Sequence, residues 1–134
     1  MKRFCLVLIL ILSQLGSFAQ NILEVEISGI RNSKGEILLQ LYNERHEIVT
    51  QKKGSIDGDK CIVKFNDLKP GKYALRYFHD ENLSGKLEIS LIGIPKEGFG
   101  YSNNAAPKLG PPSFDKWIFD LTGDLKLKLK ITYL

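Results

Sequence analysis

The stretch "HDENLSGKLE", residues 79–88, sets oxygen-bearing side chains at alternate positions. Asp80, Asn82 and Ser84 stand at positions one, three and five of a loop, Gly85 at six and Glu88 at nine, with Lys86 at seven offering its carbonyl. That is the ligand spacing of a calcium loop, where alternate oxygens point inward and a glycine permits the sharp turn. Position twelve, the bidentate glutamate of helix-loop-helix sites, is Leu91 here, so the strongest ligand is missing and affinity for Ca2+ would be modest. The alternative, which the missing ligand favours, is a turn whose Asx and Ser side chains bond their own backbone.

The next stretch, "GIPKEGFGYSNNA" at 93–105, combines three glycines and Pro95 with Phe99, Tyr101, Ser102, Asn103 and Asn104. Rigid aromatics beside amides and hydroxyls make a recognition surface for a glycan, a peptide or a partner protein. With His79, Asp80 and Asn82 at its entry, this is the expected binding site, and it calls for a solvent-facing Phe99 or Tyr101. The alternative is a loop that packs its aromatics on the body of the domain and spends its amides as internal glue. Farther on, "KLGPPSFDKWIF" carries Phe114 and the only tryptophan, Trp117, both expected to pack rather than to stack on a ligand.

Catalytic chemistry has few candidates. His46 and His79 are the only histidines, and no Cys/His cluster offers a zinc site. "GYSNN" at 100–104 is not a Gly-x-Ser-x-Gly elbow. A small hydrolase would have to use His79 with Asp80, Glu97, Ser84 or Ser102, and a triad is recognised by geometry rather than by residue count. A non-catalytic binding module, of the cell envelope, is the expectation; a purely structural loop is the third reading.

The elements that would position these residues follow a period of two. Leu23, Val25 and Ile27 alternate with polar residues, as do Ile37, Leu39 and Leu41, and the pair reads as a hairpin across "RNSKGE". "CIVKF" and "KYALRYF" are two further strands joined by "NDLKPG", and "LKLKLKITYL" closes the chain with leucines on one face and lysines on the other. About seven short antiparallel strands argue for an all-β, immunoglobulin-like or transthyretin-like sandwich with one long ordered loop. Upstream, Lys2 and Arg3, the apolar run Phe4–Leu12 and Ser17-Phe18-Ala19 read as a signal peptide cleaved after Ala19, leaving a single domain over 20–134. Export to the periplasm or cell surface is expected, with no transmembrane segment in the mature chain, because the apolar run is short of the ~20 residues a span needs. Losing Lys2 and Arg3 halves a net charge of +4, too weak a balance for a nucleic-acid binder. Only Cys61 survives cleavage, and its alternation with Val63 and Phe65 marks it as a buried small hydrophobe.

"VKFNDLKPGKYALRYF" reads as a second hairpin, reversing at Pro70-Gly71, and resembles the hairpins of transthyretin-like and carboxypeptidase-regulatory-like sandwiches. Taken in order, "FNDLKPGKYA", "HDENLSGKL", "GIPKEGFGYSNNA" and "GPPSF" together resemble the secreted bacterial family catalogued as domain of unknown function 2141. That family typically carries Asn-Gly-Lys-Leu-Asp in its first loop; here Ser84 and Glu88 stand at the Asn and Asp positions and keep oxygen donors there. The resemblance implies an exported β-sandwich of the envelope or periplasm and brings no activity with it.

Overall fold

The computed structural model describes residues 20–134; the expected signal peptide lies outside the described residues. Eight strands form two sheets: β1 (Asn21–Ser28), β2 (Glu36–Asn43), β3 (Ile48–Gly54), β4 (Cys61–Leu68), β5 (Gly71–Asp80), β6 (Phe99–Tyr101), β7 (Ile118–Leu121) and β8 (Leu125–Lys130). One sheet has the order β4-β1-β8, the other β3-β2-β5-β6, with β7 also on β5. The domain is an all-β sandwich, and its inner faces carry the alternate apolar residues of the sequence pattern. Leu23, Val25 and Ile27 meet Cys61, Val63 and Phe65 within the first sheet, against Ile37, Leu39, Leu41, Tyr73, Leu75 and Tyr77 of the second. Cys61 is buried in this layer, and burial raises its thiol pKa to about 11, which leaves it an inert hydrophobe.

Two expected hairpins are corrected. β1 pairs with β4 and β8, and β2 with β3 and β5, so the 29–35 turn crosses between sheets instead of closing a hairpin. Likewise the turn at Pro70-Gly71 carries the chain from β4 in one sheet to β5 in the other. Alternation says which face of a strand is buried, but strands on opposite sides of one core show the same alternation as neighbours. β8 also runs parallel to β1, with Leu125, Leu127 and Leu129 opposite Leu23, Val25 and Ile27. Its lysines occupy the wet face, where Lys126 pairs with Glu24 at 3.3 Å.

The second sheet is apolar on both sides. Its outer face carries Tyr42, Ala74, Phe78, Phe99, Tyr101 and Trp117 as a separate cluster, covered by Leu87, Ala105 and Phe114 from the long loop. Trp117 stands edge-on to Tyr101 and to Phe114, each at a centroid distance of 4.9 Å, so both expected packing aromatics do pack. This second layer of apolar residues explains why the loop lies down on the sandwich rather than trailing into solvent.

Candidate functional site

β5 ends in two buried polar residues, His79 and Asp80. The His79 ring is held at both nitrogens: Nε2 donates to the Lys34 carbonyl at 2.6 Å, which leaves Nδ1 to accept the Tyr133 hydroxyl proton at 2.8 Å. The Tyr133 oxygen in turn accepts the Arg31 N–H at 3.2 Å, and the Arg31 guanidinium lies 4.5 Å above the Tyr133 ring centroid. Arg31 also pairs with Glu81, which accepts from Asn32 as well. Burial opposes ionisation of Glu81, but the hydrogen bonds from Asn32 and Arg31, with the Arg31 charge, outweigh it and hold its carboxyl below the ordinary glutamate value. His79 thereby ties the 29–35 turn, the chain end and the start of the long loop into one network.

Asp80 closes the first turn. Its carboxylate accepts the N–H groups of Ser84 at 3.0 Å and Gly85 at 2.8 Å, while the Ser84 hydroxyl donates to the Lys86 carbonyl. Gly85, at φ +80, supplies the left-handed conformation the turn requires. Asn82 donates to Glu88 at 3.2 Å, and that bond, with Ser84 and the nearby Lys86 and Lys96 charges, holds the Glu88 carboxyl below its ordinary value. The sequence-predicted oxygen set Asp80, Asn82, Ser84 and Glu88 does come together, with the Lys86 carbonyl beside it. It comes together around backbone N–H donors, and among the described residues no three acidic, His or Cys side chains are grouped so as to hold a metal ion.

Glu97 does for the rest of the loop what Asp80 does for its start. It is buried, its Oε2 accepts the Glu81 N–H at 2.7 Å, and its Oε1 accepts the Glu88 N–H at 3.0 Å. One carboxylate thus holds both the departure from β5 and the outgoing arm of a short finger. Along that finger Lys96 N–H bonds the Glu88 carbonyl at 2.8 Å, Ile89 bridges Pro95, and Ser90 N–H bonds the Ile94 carbonyl at 2.8 Å. A turn over 90–93 caps it, with Gly93 at φ +82 and the Ser90 hydroxyl accepting from Ile94 N–H at 3.1 Å. The two central turn residues, Leu91 and Ile92, point into solvent at 108% and 80% relative exposure, flanked by exposed Ile89 and Ile94.

Past the finger the chain becomes a seam between the sheets. Phe99 exchanges two backbone hydrogen bonds with Thr132, at 3.0 and 2.9 Å, joining β6 to the segment that follows β8. Ser102 is fully buried; its hydroxyl accepts Leu75 N–H at 2.9 Å and donates to the Trp117 carbonyl. Asn103 and Asn104 adopt left-handed backbone at φ 60 and 48. The Asn103 amide donates to the Ile118 carbonyl at 2.8 Å, and the Asn104 oxygen accepts Lys130 N–H at 3.0 Å. Gly100 lies against the Tyr77 ring, so closely that a methyl group there would lie 2.4 Å from it.

The residues singled out from sequence therefore divide in two. His79, Asp80 and Asn82 anchor the start of the loop, and Ser102, Asn103 and Asn104 fasten its far end, the first two to β5 and β7 of the second sheet and Asn104 to β8 of the first. The expected solvent-facing Phe99 or Tyr101 is corrected: they are only 5% and 7% exposed, because the outer face of the second sheet is itself apolar and takes both rings. Ser102 and His79 are not neighbours. Ser102 bonds at Leu75, four residues along β5 from His79, or roughly 13 Å at ~3.3 Å per residue. The exposed aliphatics Leu91 and Ile92 were visible only as an apolar run inside a turn-rich segment, and no period assigns such a run to surface or core.

Among the described residues no helix is long and apolar enough to cross a membrane. No curated protein and no solved structure matches the chain. A family model does match, over residues 25–128, which takes in strands of both sheets, His79, Asp80 and Glu97, the finger and β6. The chain belongs to the family described as "Uncharacterized protein conserved in bacteria (DUF2141)".

Proposed function

We propose that this is an exported, non-catalytic β-sandwich module of the cell envelope that binds a partner protein through the finger at 87–97. The observation that carries the reading is the contrast between base and tip. Buried carboxylates and an internally bonded histidine hold the base, while Leu91 and Ile92 at the tip stand exposed to solvent. Contiguous exposed aliphatics are costly on a soluble domain and mark surfaces that other molecules cover. A convex tip of two aliphatic side chains suits an apolar pocket on a protein, as anchor residues do at interface centres. It suits a glycan poorly, because the aromatics that would stack on sugar rings are packed away.

In this reading calcium is not required, since the N–H groups of Ser84 and Gly85 already satisfy the two Asp80 oxygens. A hydrolase would need the His79 ring and the Ser102 hydroxyl released from the bonds that hold them. The test is a photo-crosslinking side chain at position 91, in cells that make the protein, against a control at the exposed Lys128. A discrete protein adduct from position 91 alone supports the reading. Lipid adducts only, or equal labelling from both positions, would rule out a protein partner for the finger.

A further inference from the structure

Below the finger, a cleft of about 310 Å³ opens on the outer face of the second sheet, between Leu87 and Ile89 on one side and Arg76, Phe99 and Tyr101 on the other. Strand register explains its chemistry. Gln40 lies opposite Arg76, and Arg76 opposite Tyr101, so the three form a polar row across β2, β5 and β6. The adjacent row, Leu38, Phe78 and Phe99, is apolar, and Phe78 and Phe99 of it supply the floor.

The polar row offers donors and almost no acceptor. The Gln40 side-chain oxygen accepts three times, from Arg76 Nε at 3.0 Å and Nη2 at 2.5 Å and from the Tyr42 hydroxyl at 3.0 Å, so only its amide N–H groups and the remaining Arg76 N–H groups are left to a ligand. The two bonds from Arg76 also fix the guanidinium in place. Arg76 has no carboxylate within ion-pairing distance among the described residues, and no Asp or Glu lines the cleft, whereas Lys86 does. An unpaired arginine, a lysine and a tyrosine hydroxyl beside an apolar floor call for a ligand that brings negative oxygens and a hydrocarbon body.

We infer that this cleft binds an amphipathic anion, an acyl chain carrying a carboxylate or phosphate, with the anionic group on Arg76 and Lys86 and the chain against Leu87, Ile89 and Phe99. The site is separate from the finger tip: neither Leu91 nor Ile92 lines it. A free fatty acid and an anionic lipid headgroup share this chemistry.

The experiment is a titration of the mature domain with decanoate, read by the fluorescence of Trp117, whose ring lies 4.9 Å from Tyr101. Saturable binding is expected, weakened at least tenfold in Arg76→Gln and by added salt, and largely kept in Arg76→Lys. Decanol, with the same chain and no charge, should bind at least tenfold more weakly. Lys86→Gln, a change at an exposed site, provides a second variant should Arg76→Gln fold poorly, and it too should weaken decanoate. Sedimentation with phosphatidylglycerol against phosphatidylcholine vesicles separates the sources. Capture by the anionic vesicles alone, lost in Arg76→Gln, identifies a headgroup, and decanoate binding without capture identifies the free acid. Decanol binding as tightly as decanoate, affinity unchanged in both variants, or no saturable signal would overturn the inference.

Discussion

Glu97 joins both arms of the loop through one buried carboxylate, and removing it gives a quantitative test of how the finger is held. Glu97→Ala strips acceptors from two backbone N–H groups, those of Glu81 at 2.7 Å and Glu88 at 3.0 Å. Hydrogen bonds to a charged partner contribute about 1.5–3 kcal/mol each. The upper end of their sum is not reached, because Glu88 lies near the surface and water recovers part of its bond, and because the variant no longer desolvates a carboxylate. The expected loss is about 3 kcal/mol, a large fraction of the ~5–15 kcal/mol that holds a domain together. For a chain of this size it corresponds to a Tm lower by roughly 10–15 °C. Glu97→Gln keeps one acceptor oxygen but turns its NH2 toward the other N–H, so about half the loss is expected. Urea unfolding gives the free energies, and hydrogen exchange reads the two amides directly: those of Glu81 and Glu88 should lose protection in Glu97→Ala while β1 and β2 keep theirs at low denaturant. A Glu97→Ala domain within about 0.5 kcal/mol of the parent, with unchanged exchange at both amides, would refute the reasoning.

Three further outcomes follow from the same contacts. Glu81 has its carboxyl held below the ordinary value of 4.5, so its contribution is complete above that pH and fades as pH falls through the lower folded value. The acid limb of the stability profile should therefore be shallower in Arg31→Ala, as followed by thermal unfolding across acidic buffers. Gly100→Ala drives a methyl into the Tyr77 ring and should cost about 1–3 kcal/mol through overpacking, measured by urea unfolding. Millimolar Ca2+ against EDTA should leave Tm unchanged, because an N–H donor already satisfies each oxygen of the Asp80 carboxylate; a rise in Tm that vanishes in Asp80→Ala would reinstate a metal-stiffened turn.

Much of this architecture was legible from residue types alone. The buried sets on β1 and β4 follow from alternation, and the lysine face of β8 from the same rule, whereas β5 is buried on both faces and alternation gives only its inner set, Tyr73, Leu75 and Tyr77. Pairing was not legible, since Leu23–Ile27 and Ile37–Leu41 alternate alike whether they sit side by side or across the core. β6 was missed because three residues carry too little periodicity to stand out from a glycine-rich loop. At the site, polar residue types pointed to the right segment but not to the right surface. Asp80, Glu97 and Ser102 look in sequence like groups that meet a ligand, yet backbone donors in the loop and on β5 claim them first. Phe99 and Tyr101 look like exposed recognition aromatics only until the apolar outer face of β5, with Ala74 and Phe78, is on hand to bury them.

The central claim is that the anchors exist to present Leu91 and Ile92, and the double variant Leu91→Ser/Ile92→Ser tests it most directly. Both side chains are exposed, so Tm should stay within about a degree or two of the parent, as for surface substitutions generally. The amount of protein recovered with the cell envelope should nevertheless fall severalfold relative to the parent. Unchanged Tm together with lost envelope association is the result predicted here. Envelope association that survives the double substitution intact, or a Tm that collapses with it, would contradict the claim and return the finger to a structural role.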